Sequence, residues 1–149
     1  MTTSGQVHRI SVSLTKGSKK TNVEKVELQQ DHGIVGDAHA GSERQVSLLP
    51  FESFDKVSEQ GLEVQPGEFA ENITTVGLEY DSITVGDSLL VGDGIELEVI
   101  QIGKECHNGC YIREIVGDCI MPREGIFTRV ARGGALQVGD GIVWKRKQV

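Results

Sequence analysis

Aromatic side chains are scarce in this chain, with one Trp, two Tyr and four Phe, so rings can fill only a small part of any core. Proline is scarcer still, at three residues, and no Pro/Ser-rich linker or low-complexity tract divides the chain. No run of about 18 apolar residues is present, which excludes a membrane-spanning helix and makes membrane partners unexpected. The first twenty residues, MTTSGQVHRISVSLTKGSKK, lack the apolar core of a secretory signal, so a cytoplasmic protein is expected. Three cysteines form an odd set, and in a reducing compartment a disulfide framework is a poor account of them. Cationic charge is in deficit, 15 Lys and Arg against 22 Asp and Glu. A net charge of −7 repels phosphate backbones at long range, so no nucleic-acid partner is expected. Lys145, Arg146 and Lys147 read as a solvated basic end.

Glycine, by contrast, is abundant at 19 of 149 residues, about twice the usual share. The tripeptide Val-Gly-Asp recurs at Val35, Val85, Val91, Val116 and Val138, each near the edge of an apolar stretch. Glycine accepts positive φ and aspartate bonds neighbouring backbone, so these copies read as strand-ending turns; without a fixed period they are not a solenoid repeat. Between them the residues alternate with period two, as in Ile10, Val12 and Leu14, and in Ile95, Leu97 and Val99. Shorter stretches occur at Val26–Leu28, Val46–Leu48, Ile83–Val85, Leu89–Val91, Ile126–Val130 and Ile142–Trp144. Phe51, Phe54 and Val57, after Pro50 and before Gly61, predict one helix near residues 50–60. Ile112, Ile115 and Val116 fit a helical turn or a strand equally. Many short strands in one domain, residues 1–149, predict a mainly β fold: a closed or partly open antiparallel β-barrel with one to three short helices.

Two phosphate motifs are excluded by position. Gly103-Lys104 resembles the end of a P-loop, but its first glycine would fall at Glu98 and Glu105 follows the lysine. Gly92-Asp93-Gly94 begins like a dinucleotide fingerprint, yet its third glycine position is Leu97. The densest chemistry runs from Gly103 to Cys119, with Lys104, Cys106, His107, Cys110 and Cys119. A thiol acts as nucleophile or metal ligand only as thiolate, and Lys104 and His107 are close enough in sequence to favour that form of Cys106. A structural metal site using Cys106, His107, Cys110 and Cys119 is the competing reading, weakened because only one paired ligand knuckle is present; Cys110 and Cys119 also read as small core residues. In Gly33–Gly41 the glycines permit close backbone approach, and His39 with Arg44 could donate to an oxyanion, or the segment is a plain turn. Residues 66–74, including Asn72, read equally as turn capping or ligand binding.

Together and in this order, GIVGDAHAGSERQVSLL, PGEFAENITTVGL, VGDSLLVG, LEVIQIGKECHNGCYI and MPREGIFTRVARGGALQVGDGI resemble the MOSC family, named for the C-terminal domain of molybdenum cofactor sulfurase, in its small stand-alone bacterial form. The resemblance spans Gly33 to Ile142 and implies a mostly antiparallel β-barrel with a few helices. It also implies that Cys106, in a Q-x-x-x-x-C context from Gln101, carries sulfur as a persulfide or ligates molybdenum of a pterin cofactor. The cofactor implied is molybdenum cofactor (molybdopterin), whose phosphate needs convergent donors; His39 and Arg44 gain weight, with Asn72, Lys104 and Arg129 as further candidates on matching stretches. Pyridoxal phosphate binding is associated with the family, but this chain shows no evident site for pyridoxal chemistry, so a cysteine desulfurase or other sulfur donor is an implied partner. A molybdoenzyme or cofactor-biosynthesis protein would be the recipient. The alternatives are a non-catalytic cofactor-binding or storage module, the structural metal site, and a molybdenum-dependent oxidoreductase acting on N-hydroxylated compounds with electron-delivery partners. Extra helices or an additional N-terminal β domain, present in larger relatives, are absent from this sequence.

Overall fold

Alternation in Ile95–Ile102 becomes a strand whose Ile95, Leu97 and Val99 are buried while Glu96, Glu98 and Ile100 lie half-buried on the other face. A computed structural model of the chain describes residues 3–13, 20–38, 40–42, 45–54, 71–78, 82–102 and 125–146. Its strands are β1 (Thr3–Val12), β2 (Thr21–Val23), β3 (Lys25–Gln29), β4 (Gly33–Ile34), β5 (Val46–Pro50), β6 (Ile73–Val76), β7 (Ser88–Val91), β8 (Ile95–Ile102), β9 (Ile126–Arg132), β10 (Gly134–Gln137) and β11 (Gly141–Lys145).

Seven strands close on themselves in the order β11-β7-β8-β9-β5-β6-β1, and β1 returns to β11 through the pairs Thr3↔Trp144 to Gln6↔Gly141. Closure gives the backbone donors and acceptors of these strands a partner on either side, which an open sheet of the same length would leave exposed at two edges. All neighbours are antiparallel except β5 and β6, which run parallel. A parallel pair needs a long crossover, and residues 51–72 supply it. β2 extends the sheet beside β1, and a separate sheet of order β10-β3-β4 adds Leu28, Ile34 and Leu136 to the core. The barrel interior is filled by aliphatics such as Ile10, Leu48, Ile73, Leu97 and Ile126, with Trp144 the one aromatic in this cluster among the described residues. This is the mainly β barrel expected from the alternation, and it is closed.

Four of the five Val-Gly-Asp copies lie among the described residues, and each forms a turn. In three of them the aspartate N–H reaches back three residues: Asp37 to Ile34 O at 3.0 Å, Asp87 to Thr84 O and Asp140 to Gln137 O at 3.1 Å. The intervening Gly36, Gly86 and Gly139 have φ of 91°, 98° and 96°, and the valines before them are not in the left-handed region, which is type II geometry. Val91-Gly92-Asp93 differs, forming the tip of the β7–β8 hairpin. The fifth copy, at Val116, lies outside the described residues.

Four expectations shift in detail. Ile83–Val85 is not a strand: Thr84 and Val85 open the second of those turns, Thr84–Asp87, and of the three residues Ile83 alone is buried. Pro50 ends β5 instead of opening a helix, and the helical segment described is a single 3₁₀ turn, Phe51–Phe54, with Phe54 buried; Val57 and the rest of the expected helix lie outside the described residues. In β1 the register shifts between Val7 and Arg9, and this bulge at His8 lets Val7 and Ile10, three residues apart, both enter the core. Ser11, expected to face solvent, is buried on the face opposite Ile10, where its Oγ donates to Asn22 Oδ1 at 2.7 Å. The segment at Ile112–Val116 also lies outside the described residues.

Candidate functional site

Strand directions sort the candidate residues between the two ends of the barrel. Pairing of Ile102 with Ile126 places the exit of β8 beside the entry of β9, at the end where β5, β6 and β11 finish and β1 and β7 begin. The chain that leaves and re-enters there carries Lys104, Cys106, His107, Cys110 and Cys119, all outside the described residues. The segment that leads into β5, with Asp37, Ala38 and Gln45, approaches the opposite end, where β6 also begins. His39 and Arg44 lie outside the described residues as well. Of the six residues singled out as catalytic or cofactor-binding, the structure describes Asn72 and Arg129.

Asn72 stands at the entry of β6 and is fully buried. Its Oδ1 accepts from the Ser47 N–H at 3.0 Å and from Ser47 Oγ at 3.3 Å, while Nδ2 donates to Ser11 O at 3.2 Å. Its backbone takes part too, N–H to Ser47 O at 3.0 Å and carbonyl from the Ser11 N–H at 2.7 Å. One asparagine thus clasps β1, β5 and β6 where the parallel pair begins. Beside it, Gln45 Oε1 accepts the Val130 N–H at 3.0 Å and Thr128 Oγ1 donates to Val46 O at 2.9 Å, so side chains complete the β5–β9 seam.

Arg129 sits on β9 facing outward, about one-third exposed. Its guanidinium donates to Glu98 Oε1 at 3.0 Å across the β8–β9 pair and to Asp31 Oδ1 in the turn after β3. Those two carboxylates raise its pKa above the ordinary arginine value, the hydrogen bond it donates to Asp31 contributing most and that to Glu98 next. Asp31 adopts φ 54°, and its N–H bonds Val130 O at 2.9 Å, so Arg129 tethers a turn held in the left-handed region. Asn72 is bonded to Ser47 and Ser11 and Arg129 to Glu98 and Asp31, so the two hold different parts of the barrel.

A second cation was missed in the sequence. Lys20 Nζ lies 2.7 Å from Asp37 Oδ1, with both side chains wholly buried, and 3.4 Å from Ser13 Oγ. The same Asp37 oxygen accepts the Ser13 N–H at 3.0 Å, and the Ala38 N–H donates to Ser13 O at 2.8 Å. Nothing local marks Lys20, which ends the run Lys19-Lys20 and resembles a solvated lysine. Around the same loop, Gly36 has open space where a Cβ would stand and Gly41 meets only His32 Nδ1 at 3.9 Å, an open glycine flank that suits ligand approach. Gly33, by contrast, is packed against Gln45 O. Among the described residues no group of three or more His, Cys, Asp or Glu is arranged to hold a metal ion. Lys20 and Arg129 are both engaged by carboxylates, while His39, Arg44, Lys104 and Cys106 lie outside the described residues, on segments that meet the barrel at opposite ends.

The fold is that of a closed seven-stranded barrel with one parallel seam, and comparison with known proteins gives it a family. The MOSC domain model matches residues 35–143, and the chain belongs to that family. Among solved structures it is similar to the YuaD protein of Bacillus subtilis, with TM-score 0.84 and 18% identity over 99% of both chains. It is also similar to YiiM of Geobacillus stearothermophilus, TM-score 0.71 and 22% identity over 94% of this chain and 74% of that one. For YiiM of Escherichia coli the values are 0.68 and 17%, over 99% and 71%. At these identities the likeness concerns the fold alone. No curated protein matches the chain by sequence. The family is associated with molybdenum cofactor proteins. No helix among the described residues is long and apolar enough to cross a membrane.

Proposed function

We propose that the chain acts in molybdenum cofactor maturation or transfer, with the Cys106 thiolate carrying sulfur or ligating the metal. What supports this reading is the family match across residues 35–143, which contains Cys106 in the stretch that leaves β8 after Gln101. In the sulfur-carrier form the Cys106 thiolate attacks the terminal sulfur of a donor persulfide; a new S–S bond forms on Cys106 and the donor leaves as its own thiolate. A cysteine desulfurase is the donor class, and a molybdoenzyme or cofactor-biosynthesis protein the recipient. When bound, the cofactor supplies a metal centre that accepts sulfur or thiolate. Lys104, on the same segment as Cys106, is the proposed phosphate donor there; His39 and Arg44 lie on the segment that enters β5 at the opposite end of the barrel, and Asn72 and Arg129 contribute through the strands they hold.

Mass spectrometry after incubation with cysteine and a desulfurase tests the reading. The expected result is a one-sulfur gain on the peptide containing Cys106, lost in C106S. A sulfur adduct confined to Cys110 or Cys119 would overturn it. Cofactor retained with no sulfur transfer would favour a binding or storage module instead, and zinc or iron at one per purified chain would favour a structural metal site.

A further inference from the structure

Two of the Val-Gly-Asp turns are longer copies of each other, Val91-Gly92-Asp93-Gly94-Ile95 and Val138-Gly139-Asp140-Gly141-Ile142. They lead into β8 and β11, the strands on either side of β7, so the identical turns meet at one end of the barrel. The Gly92 N–H bonds Gly141 O at 2.9 Å, and Asp140 Oδ2 stands 2.9 Å from where a Cβ on Gly92 would be. Between these turns, the start of β3 and the β10 strand lies a cleft of about 470 Å³, within the size range of small-molecule sites. Gly92, Gly139 and Gly141 line it together with Lys25, Asp93 and Asp140.

Its β10 wall is a strand edge. The ladder with β3 continues through the Val138 N–H to Glu24 O, so by alternation Ala135 and Gln137 turn their N–H and C=O to the unpaired side. Gln137 spends both on Asp140, its N–H on Oδ2 at 3.0 Å and its C=O on the Asp140 N–H at 3.1 Å, whereas Ala135 has no such partner among the described residues. The charges narrow the occupant. Lys25 and Asp93 form no ion pair among the described residues, and Asp140 commits Oδ2 to backbone. A lone anion would meet two carboxylates in a chain of net charge −7, and a lone cation would meet the Lys25 ammonium. Among the described residues no third carboxylate, His or Cys joins the two aspartates to hold a metal ion. A molecule with both an ammonium and a carboxylate satisfies both signs at once. Gly139 and Gly141 have open space where a Cβ would stand, so such a molecule can lie close to the backbone.

We propose that this cleft binds a short peptide with free termini, of about dipeptide size: Lys25 takes its carboxylate, Asp93 and Asp140 its ammonium, and the Ala135 edge its amide. The site precedes β8, whereas the Cys106 segment leaves from the far end of that strand, so it stands apart from the function proposed above.

The test titrates the full chain with glycylglycine and follows backbone amide chemical shifts. Saturable shifts are expected at Gly92, Ala135 and Gly141, with Gln101 and Ile102 at the far end of β8 unmoved. The N-acetylated and C-amidated forms of the probe should each bind about fivefold more weakly, the scale of a partly exposed charge pair. Lys25 and Asp93 are exposed, so K25M and D93N should fold as the wild type does. K25M should bind the free and amidated forms equally, because the charge that amidation removes has lost its partner. D93N should weaken the free form about fivefold and leave the acetylated form unchanged. Absence of saturable shifts at Gly92, Ala135 and Gly141 overturns the site. Equal binding of all three probes to the wild type overturns the recognition of two charges, and wild-type affinities in K25M and D93N overturn the roles given to those residues.

Discussion

Trp144 donates its indole N–H to Asp87 Oδ2 at 2.8 Å, joining the last barrel strand to a Val-Gly-Asp turn 57 residues earlier. The same oxygen accepts the Thr84 N–H at 2.9 Å and Thr84 Oγ1 at 3.2 Å, so one fully buried carboxylate both shapes the turn before β7 and satisfies the indole. Truncating it in D87A leaves the indole N–H buried and unpaired, a cost of about 2–3 kcal/mol. Since Trp144 is the sole tryptophan, its emission reports the event directly. The expected outcome is a lower urea midpoint with altered native emission; an unchanged midpoint would show that the carboxylate is dispensable.

Replacing Asn72 strips partners from three strands at once. N72A leaves the Ser47 N–H and Ser11 O without their side-chain partner, and destabilisation of about 2–4 kcal/mol is expected from the loss of several buried bonds. N72D keeps the acceptor but sets a carboxylate oxygen against Ser11 O, so it should fare no better than N72A. Equilibrium urea unfolding of both variants checks the order. Sulfur transfer at Cys106, measured in the fraction still folded, should persist if Asn72 acts through the strands.

Three kinds of glycine should respond differently to alanine. Gly36 and Gly139 have open space but positive φ, so each G→A should cost about 1–2 kcal/mol from backbone strain alone. Gly133 is limited by room: an added Cβ would stand 2.2 Å from Leu28 O, a backbone atom, so G133A should cost about 3 kcal/mol or more by forcing β3 and β10 apart. Gly141 meets nothing and is not in the left-handed region, so G141A should be neutral or stabilise by about 0.5 kcal/mol. Thermal unfolding of the four variants gives the ranking, and G141A falling below G36A would contradict it.

His8, at the β1 bulge, packs its ring 4.4 Å from Phe51, and burial there lowers its pKa, with Arg9 adding to the shift and Glu52 opposing it. The native state therefore binds its proton less readily than the unfolded chain. Stability from the neutral ring is complete above the ordinary histidine pKa and declines as pH falls through the lowered native value. Wild type should lose stability relative to H8F over that acid window and run parallel to it above. Urea midpoints at a series of pH values measure this, and parallel curves throughout would remove His8 as the cause.

Much of the barrel is legible in the chain because strand alternation and turn chemistry are local. Ile95 to Val99 declares its buried face by period two, and Val-Gly-Asp declares its turns because only glycine takes positive φ without penalty while aspartate closes the bond three residues back. The family, too, is carried by the order of short segments. Other features depend on residues far apart meeting. Ser11 is buried on the face opposite Ile10 because Asn22 and Asn72 meet it there, which no local pattern signals. The parallel β5–β6 seam is clasped by Asn72, whose partners Ser47 and Ser11 lie 25 and 61 residues away in the chain. Lys20 looks like any surface lysine until β1 and the Asp37 turn enclose it. Local stereochemistry determined the strands and turns of this protein; burial, which exists only once distant segments pack, decided which polar side chains hold them together.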